Sequence, residues 1–77
     1  MKVIVTYAKT IVEQKEIEVD DKYKILETDC NHLSFREIGE LKDGLTKEVS
    51  KEIFDSDDYI ILQSARNSEN DEMLWEW

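Results

Sequence analysis

The most extended periodic pattern in the chain runs from Ser34 to Phe54, SFREIGELKDGLTKEVSKEIF. At 100° per residue, Ile38, Leu41, Leu45, Val49 and Ile53 fall in one stripe roughly 120° wide, which predicts an amphipathic helix packed on a sheet. Ser34 followed by Glu37 predicts a capping box at its start, side-chain oxygens accepting from backbone N–H groups that the helix leaves unpaired. Glu37, Glu40 and Asp43 precede Lys47 and Lys51, an order that complements the helix dipole. Asp43 and Lys47 add a favourable pair one turn apart. Gly39 and Gly44 oppose the helix by about 0.8–1 kcal/mol each relative to alanine. The pattern leaves three options open: a start near Glu40, a bend at Gly44, or glycines that admit another backbone.

The flanking segments read as strands. Residues 2–8 alternate Val3, Val5 and Tyr7 with Ile4 and Thr6 and are rich in β-branched side chains. Apolar atoms on both faces place this strand in the middle of a sheet. Residues 11–19 predict a second strand, with Ile17 and Val19 pointing one way and Glu16 and Glu18 the other. An antiparallel pair is expected, although no Asn-Gly or Asp-Gly marks a tight turn between them. Asp20 and Asp21 suit a helix start, and Tyr23, Ile25 and Leu26 supply the apolar side of a short helix ending near Glu27 or Thr28. Residues 58–65, DYIILQSA, form an apolar run suited to a buried strand. A turn is expected over Arg66–Asn70. Residues 71–77 then alternate Met73, Trp75 and Trp77 against Glu72, Leu74 and Glu76. The order β-β-α-α-β-β predicts an α+β fold: a four-stranded antiparallel sheet with one main and one short helix on a single face. The other face would carry some of Ile4, Thr6, Glu16, Glu18 and Glu76, half polar and a candidate contact surface.

Size and charge narrow the function. The 77 residues make one domain, 1–77, and a chain of this size buries only about 60–65% of its unfolded surface. Nineteen acids against ten bases give a net charge of −9. Such a chain repels nucleic acid and anionic membranes and is drawn to basic surfaces. A single cysteine cannot form an internal disulfide, which favours a reducing, cytoplasmic setting. The first residues are too short and interrupted for a signal peptide, and no apolar run is long enough to span a membrane.

Candidate chemistry is sparse. Cys30 and His32 are the chain's one cysteine and one histidine, where a structural zinc site wants four ligands, usually including two or more cysteines. A small thiol beside a surface histidine is the stronger reading. Asp55-Ser56-Asp57-Asp58 lacks the glycine and the closing glutamate of a calcium loop and reads as a solvated acidic turn. Both glycines lie in the helical stretch, so no Gly-rich phosphate cradle is expected. No enzyme activity, cofactor or metal is predicted.

The aromatics lack the basic track that single-strand binders need, so Trp75 is expected to fill the core. Trp77, the last residue of the sequence, is a candidate interface anchor. Glu16, Glu18 and Asp20 follow one another at alternate positions, about 6.6 Å apart on a strand, close to the phosphate spacing a DNA mimic would need. Together with Asp55, Asp57, Asp58 and Trp77 they form the candidate partner-binding set. The plain competing reading is that these acids keep a small domain soluble.

One short domain with EIEVDD after its first strand, an acidic-aromatic end MLWEW and no enzymatic motif resembles the small acidic proteins encoded by bacteriophages and prophages, anti-CRISPR inhibitors among them. The resemblance implies a stoichiometric inhibitor that docks on a basic nucleic-acid-binding surface, such as that of a nuclease in host defence. It assigns no contact residues. The alternative expectation is a structural or assembly protein that forms a homodimer through the outer sheet face or the last strand, with no nucleic-acid mimicry.

Overall fold

A computed structural model describes residues 1–27, 33–54 and 59–77. The elements follow in the order β1 (Lys2–Ala8), β2 (Val12–Glu18), a 3-10 helix (Asp21–Glu27), α1 (Phe35–Ile53), β3 (Ile61–Asn67) and β4 (Met73–Glu76). All strand pairs are antiparallel, and the sheet order is β2-β1-β3-β4. This is the expected α+β architecture, with β1 in the interior as its two apolar faces require.

The helix begins where its caps place it. Ser34 accepts from the Glu37 N–H, and the Glu37 carboxylate reaches back to the Ser34 N–H, so the capping box is complete. Neither glycine ends the helix. Leu45, Val49 and Ile53 are buried, while Ile38 and Leu41 are half-buried. Gly44 has a packing reason: a Cβ there would lie 2.5 Å from the Tyr23 hydroxyl, whereas one at Gly39 would meet nothing within 4 Å. The close approach at Gly44 is therefore by a side chain rather than a backbone.

The core lies between the sheet and the helical layer. Val3, Val5, Ile17 and Ala65 from the strands meet Tyr23 and Leu26 from the 3-10 helix and Leu45 and Val49 from α1 in one cluster. The short helix has 3-10 form, and it buries Tyr23 and Leu26 while Ile25 is only half-buried.

The C-terminal half departs from the expected pattern in two places. The third strand starts at Ile61 and runs through Asn67, where a turn was expected to begin at Arg66. Its register pairs Val3 with Asn67, which puts Asn67 on the core face at 3% exposure. The Asn67 amide donates to the Glu27 carboxylate, and its oxygen accepts from the Glu69 N–H at 2.9 Å, so the buried polar group is satisfied. Tyr59, expected within the strand, precedes it and is 84% exposed.

The second departure is in β4. Trp75 faces Ala65 and Met73 faces Arg66, which leaves Leu74 as an extra residue in a β-bulge. The bulge turns Leu74 into the core at 3% exposure and leaves Met73 at 44%, reversing the sides that strict alternation predicts for those two. In the turn before β4, Asp71 has φ 62°, a left-handed conformation that short polar side chains tolerate. Its carboxylate lies 2.9 Å from the Arg66 Nε.

Candidate partner-binding surface

The outer sheet face is uncovered among the described residues. Its rows follow from the register: Val12, Ala8 and Ile61; then Gln14, Thr6, Ser64 and Glu76; then Glu16, Ile4, Arg66 and Met73; then Glu18 beside Lys2. The first row is apolar, with Val12 and Ile61 both more than half exposed. The other three rows carry charge. The expected outer-face residues Ile4, Thr6, Glu16, Glu18 and Glu76 therefore share one surface.

Glu16 and Glu18 project from β2, which forms one edge of the sheet. Each has a local counter-charge. The Lys2 Nζ lies 3.9 Å from Glu16, and the Met1 ammonium lies 3.0 Å from Glu18 and 2.7 Å from Asp21. The ammonium also donates to the Val19 carbonyl at 2.9 Å. Its hydrogen bonds to Asp21 and then to Glu18 raise its pKa, against a smaller opposing effect of burial. The same ammonium lowers the Asp21 pKa, by hydrogen bonding first and by its charge second. The carboxylates of Glu16, Glu18 and Asp21 are each more than half exposed, so these pairs locate charge more than they add stability.

Asp20 continues the acidic series but is partly engaged in structure. Its carboxylate accepts from the Lys22 N–H at 2.9 Å, and its own N–H donates to Glu48 on α1 at 3.4 Å. Lys15 crosses from β2 to the helix, donating to the Glu52 carbonyl at 2.9 Å. These two links bring Glu48 and Glu52 beside the β2 edge on its helix side, opposite the face that carries Glu16 and Glu18. The spacing of Glu48 and Glu52 puts them on one helix face, a signal visible in the sequence; their nearness to β2 is a product of the fold.

Trp77 packs against the core rather than standing free. Its indole N–H donates to the Thr46 hydroxyl at 2.9 Å, and that hydroxyl donates to the Lys42 carbonyl at 2.7 Å. The neighbouring Trp75 ring is half-buried, with the Lys42 ammonium 5.7 Å from its centre. Both tryptophans pack against the core and keep only part of their surface exposed. Asp55, Asp57 and Asp58, and the Cys30–His32 pair, lie outside the described residues.

A polar cavity of about 210 Å³ is lined by Met1, Asp21, Lys24, Asn67 and Glu69. Among the described residues, no three metal-ligating side chains converge. No described helix is long and apolar enough to cross a membrane. No protein-family model, curated protein or solved structure matches the chain. The fold and its surface define a small α+β domain with an acidic sheet edge.

Proposed function

We propose that this chain is an acidic protein-binding module that docks on a basic, nucleic-acid-binding surface of another protein, an inhibitor of the anti-CRISPR or DNA-mimic type acting in the cytoplasm. The observation that carries the reading is the concentration of carboxylates around one sheet edge. Glu16 and Glu18 stand on the outer face, Asp20 follows the strand, and the Glu48 carboxylate lies beside Asp20 on the helix side. A net charge of −9 extends the same field over the molecule. Charge arranged in this way steers encounter with a basic groove and discriminates against acidic partners. Asp55, Asp57, Asp58 and the exposed part of Trp77 complete the proposed contact set. The reading needs neither catalysis nor a cofactor.

The test is capture of a partner from host lysate on the tagged protein at low salt, with stepwise elution by salt. The expected partner is a nucleic-acid-binding protein, for example a nuclease, that is released by salt and loses its nucleic-acid binding when this protein is added in equimolar amount. Recovery of this chain alone, or of a partner whose nucleic-acid binding is untouched, refutes the reading.

A second reading has its own support in the apolar row Val12, Ala8 and Ile61 on the uncovered face. Such a row suits a homodimer acting as a structural or assembly protein. Sedimentation at high concentration would then give twice the 9.1 kDa chain mass; a strict monomer excludes it.

A further inference from the structure

We infer that the partner contact is made by strand addition: an extended segment with basic residues at alternate positions pairs with β2 as a fifth strand. The inference rests on the acidic-module reading and specifies how that module would hold its partner.

The backbone of β2 supplies the first argument. Met1 and Val19 exchange both of their backbone bonds, each at 2.9 Å. Hydrogen-bonded and non-bonded pairs alternate along an antiparallel ladder. Val3–Ile17, Val5–Lys15 and Tyr7–Glu13 are therefore the bonded pairs, and the N–H and C=O groups of Gln14, Glu16 and Glu18 point away from the sheet. The bond from the Ser68 N–H to the Lys2 carbonyl agrees, since it turns the even-numbered β1 residues toward β3. Among the described residues, no other backbone pairs with that side of β2.

The two edges of the sheet differ. The other, β4, is four residues long and bulged at Leu74, features that blunt an edge against pairing. By contrast, β2 has seven residues, no proline and an unbroken register with β1. An unbulged edge of this length is able to template an added strand, and its charged side chains restrict which strand it admits.

Charge selects the occupant. Two of the three residues whose outward backbone groups meet no described backbone, Glu16 and Glu18, carry their carboxylates on the outer face, with alternate side chains about 6.6 Å apart. An added strand brings its own alternate side chains opposite them. A second copy of this chain would set carboxylates and a further charge of −9 against the edge, which opposes self-pairing. Lysine or arginine at those positions reverses the sign, and the Glu48 carboxylate beside Asp20 extends the attraction past the end of the strand.

The probe is a capped nine-residue peptide alternating lysine and threonine, added to the full chain at low salt. A second peptide of the same sequence, N-methylated at alternate residues, keeps the charge but cannot donate the pairing hydrogen bonds. Strand addition predicts that the first peptide slows hydrogen exchange at the Gln14, Glu16 and Glu18 amides. The methylated peptide should bind at least about tenfold more weakly, the loss of two or more net hydrogen bonds. Gln14→Pro should weaken binding similarly with no change in charge, because the N–H it removes faces outward. Equal binding of both peptides to the native chain overturns strand addition while leaving the basic-partner reading intact, and needs no variant to fold. Absence of binding by either peptide also overturns strand addition, whereas the acidic-module reading stands or falls separately on the captured partner. Loss of binding in E16Q/E18Q with none in Gln14→Pro points to charge contact without pairing.

Discussion

Replacing Gly44 with alanine sets two local effects against each other. Alanine in a helix interior is favoured over glycine by about 0.8–1 kcal/mol. At Gly39 nothing opposes that gain, because an added Cβ meets no atom within 4 Å. At Gly44 the same Cβ falls 2.5 Å from the Tyr23 hydroxyl. Tyr23 is 2% exposed and belongs to the core cluster, so its ring has little room to yield. Overpacking of that kind costs about 1–3 kcal/mol. Gly39→Ala should therefore stabilise by about 1 kcal/mol, and Gly44→Ala should lie between neutral and about 2 kcal/mol destabilising. Tyr23→Phe removes the clashing oxygen and leaves the nearest ring carbons at 3.4 Å, close to ordinary contact. In the Tyr23→Phe background, Gly44→Ala should recover most of the alanine gain, a coupling of about 1–3 kcal/mol. Urea denaturation followed by Trp75 and Trp77 fluorescence reads all four corners of the cycle. In a domain of this size each kcal/mol also moves Tm by about 4–8 °C. If Gly44→Ala stabilises as much as Gly39→Ala, or if Tyr23→Phe fails to restore it, the packing argument is wrong.

Two further stability predictions follow from the polar contacts. The Met1 ammonium, with its pKa raised above 8.0, contributes fully below pH 8 and loses that contribution as pH rises through the raised value. Asp21, lowered below 3.8, contributes above that value and loses its share as pH falls through the lowered one. Asp21→Asn should therefore reduce the stability difference between neutral pH and each extreme; an unchanged profile from pH 2 to 10 would refute the pairing. Asn67→Ala removes the amide that donates to Glu27 and the oxygen that accepts from Glu69. It should cost about 1–3 kcal/mol in urea denaturation, and a loss under about 0.5 kcal/mol would show that water replaces both contacts.

Much of this fold was legible in local order. The Ser34–Glu37 box, the stripe from Ile38 to Ile53 and the alternation of β1 and β2 report periodicities that the backbone itself imposes, 3.6 and 2.0 residues. The net charge and the absence of a Gly-rich phosphate cradle follow from counting alone. Long-range pairing decided the rest. Asn67 reads locally as a turn residue, yet its pairing with Val3 and a hydrogen bond to Glu27, 40 positions away in the chain, hold it in the core. Leu74 and Met73 exchange sides because a bulge in the β3–β4 ladder inserts one residue, a shift that alternation along a single strand cannot encode. Gly44 reads as a weakness in a helix until Tyr23, from another element, occupies the space that its missing side chain leaves. The acidic edge shows the same division. Glu16 and Glu18 announce themselves by alternate spacing, whereas Lys2 and the Met1 ammonium reach them, and Glu48 reaches Asp20, only once sheet and helix have packed. Composition set the sign of the surface; strand order and register placed it on an edge that no other described strand pairs with, because only tertiary contacts determine which backbone groups meet a partner.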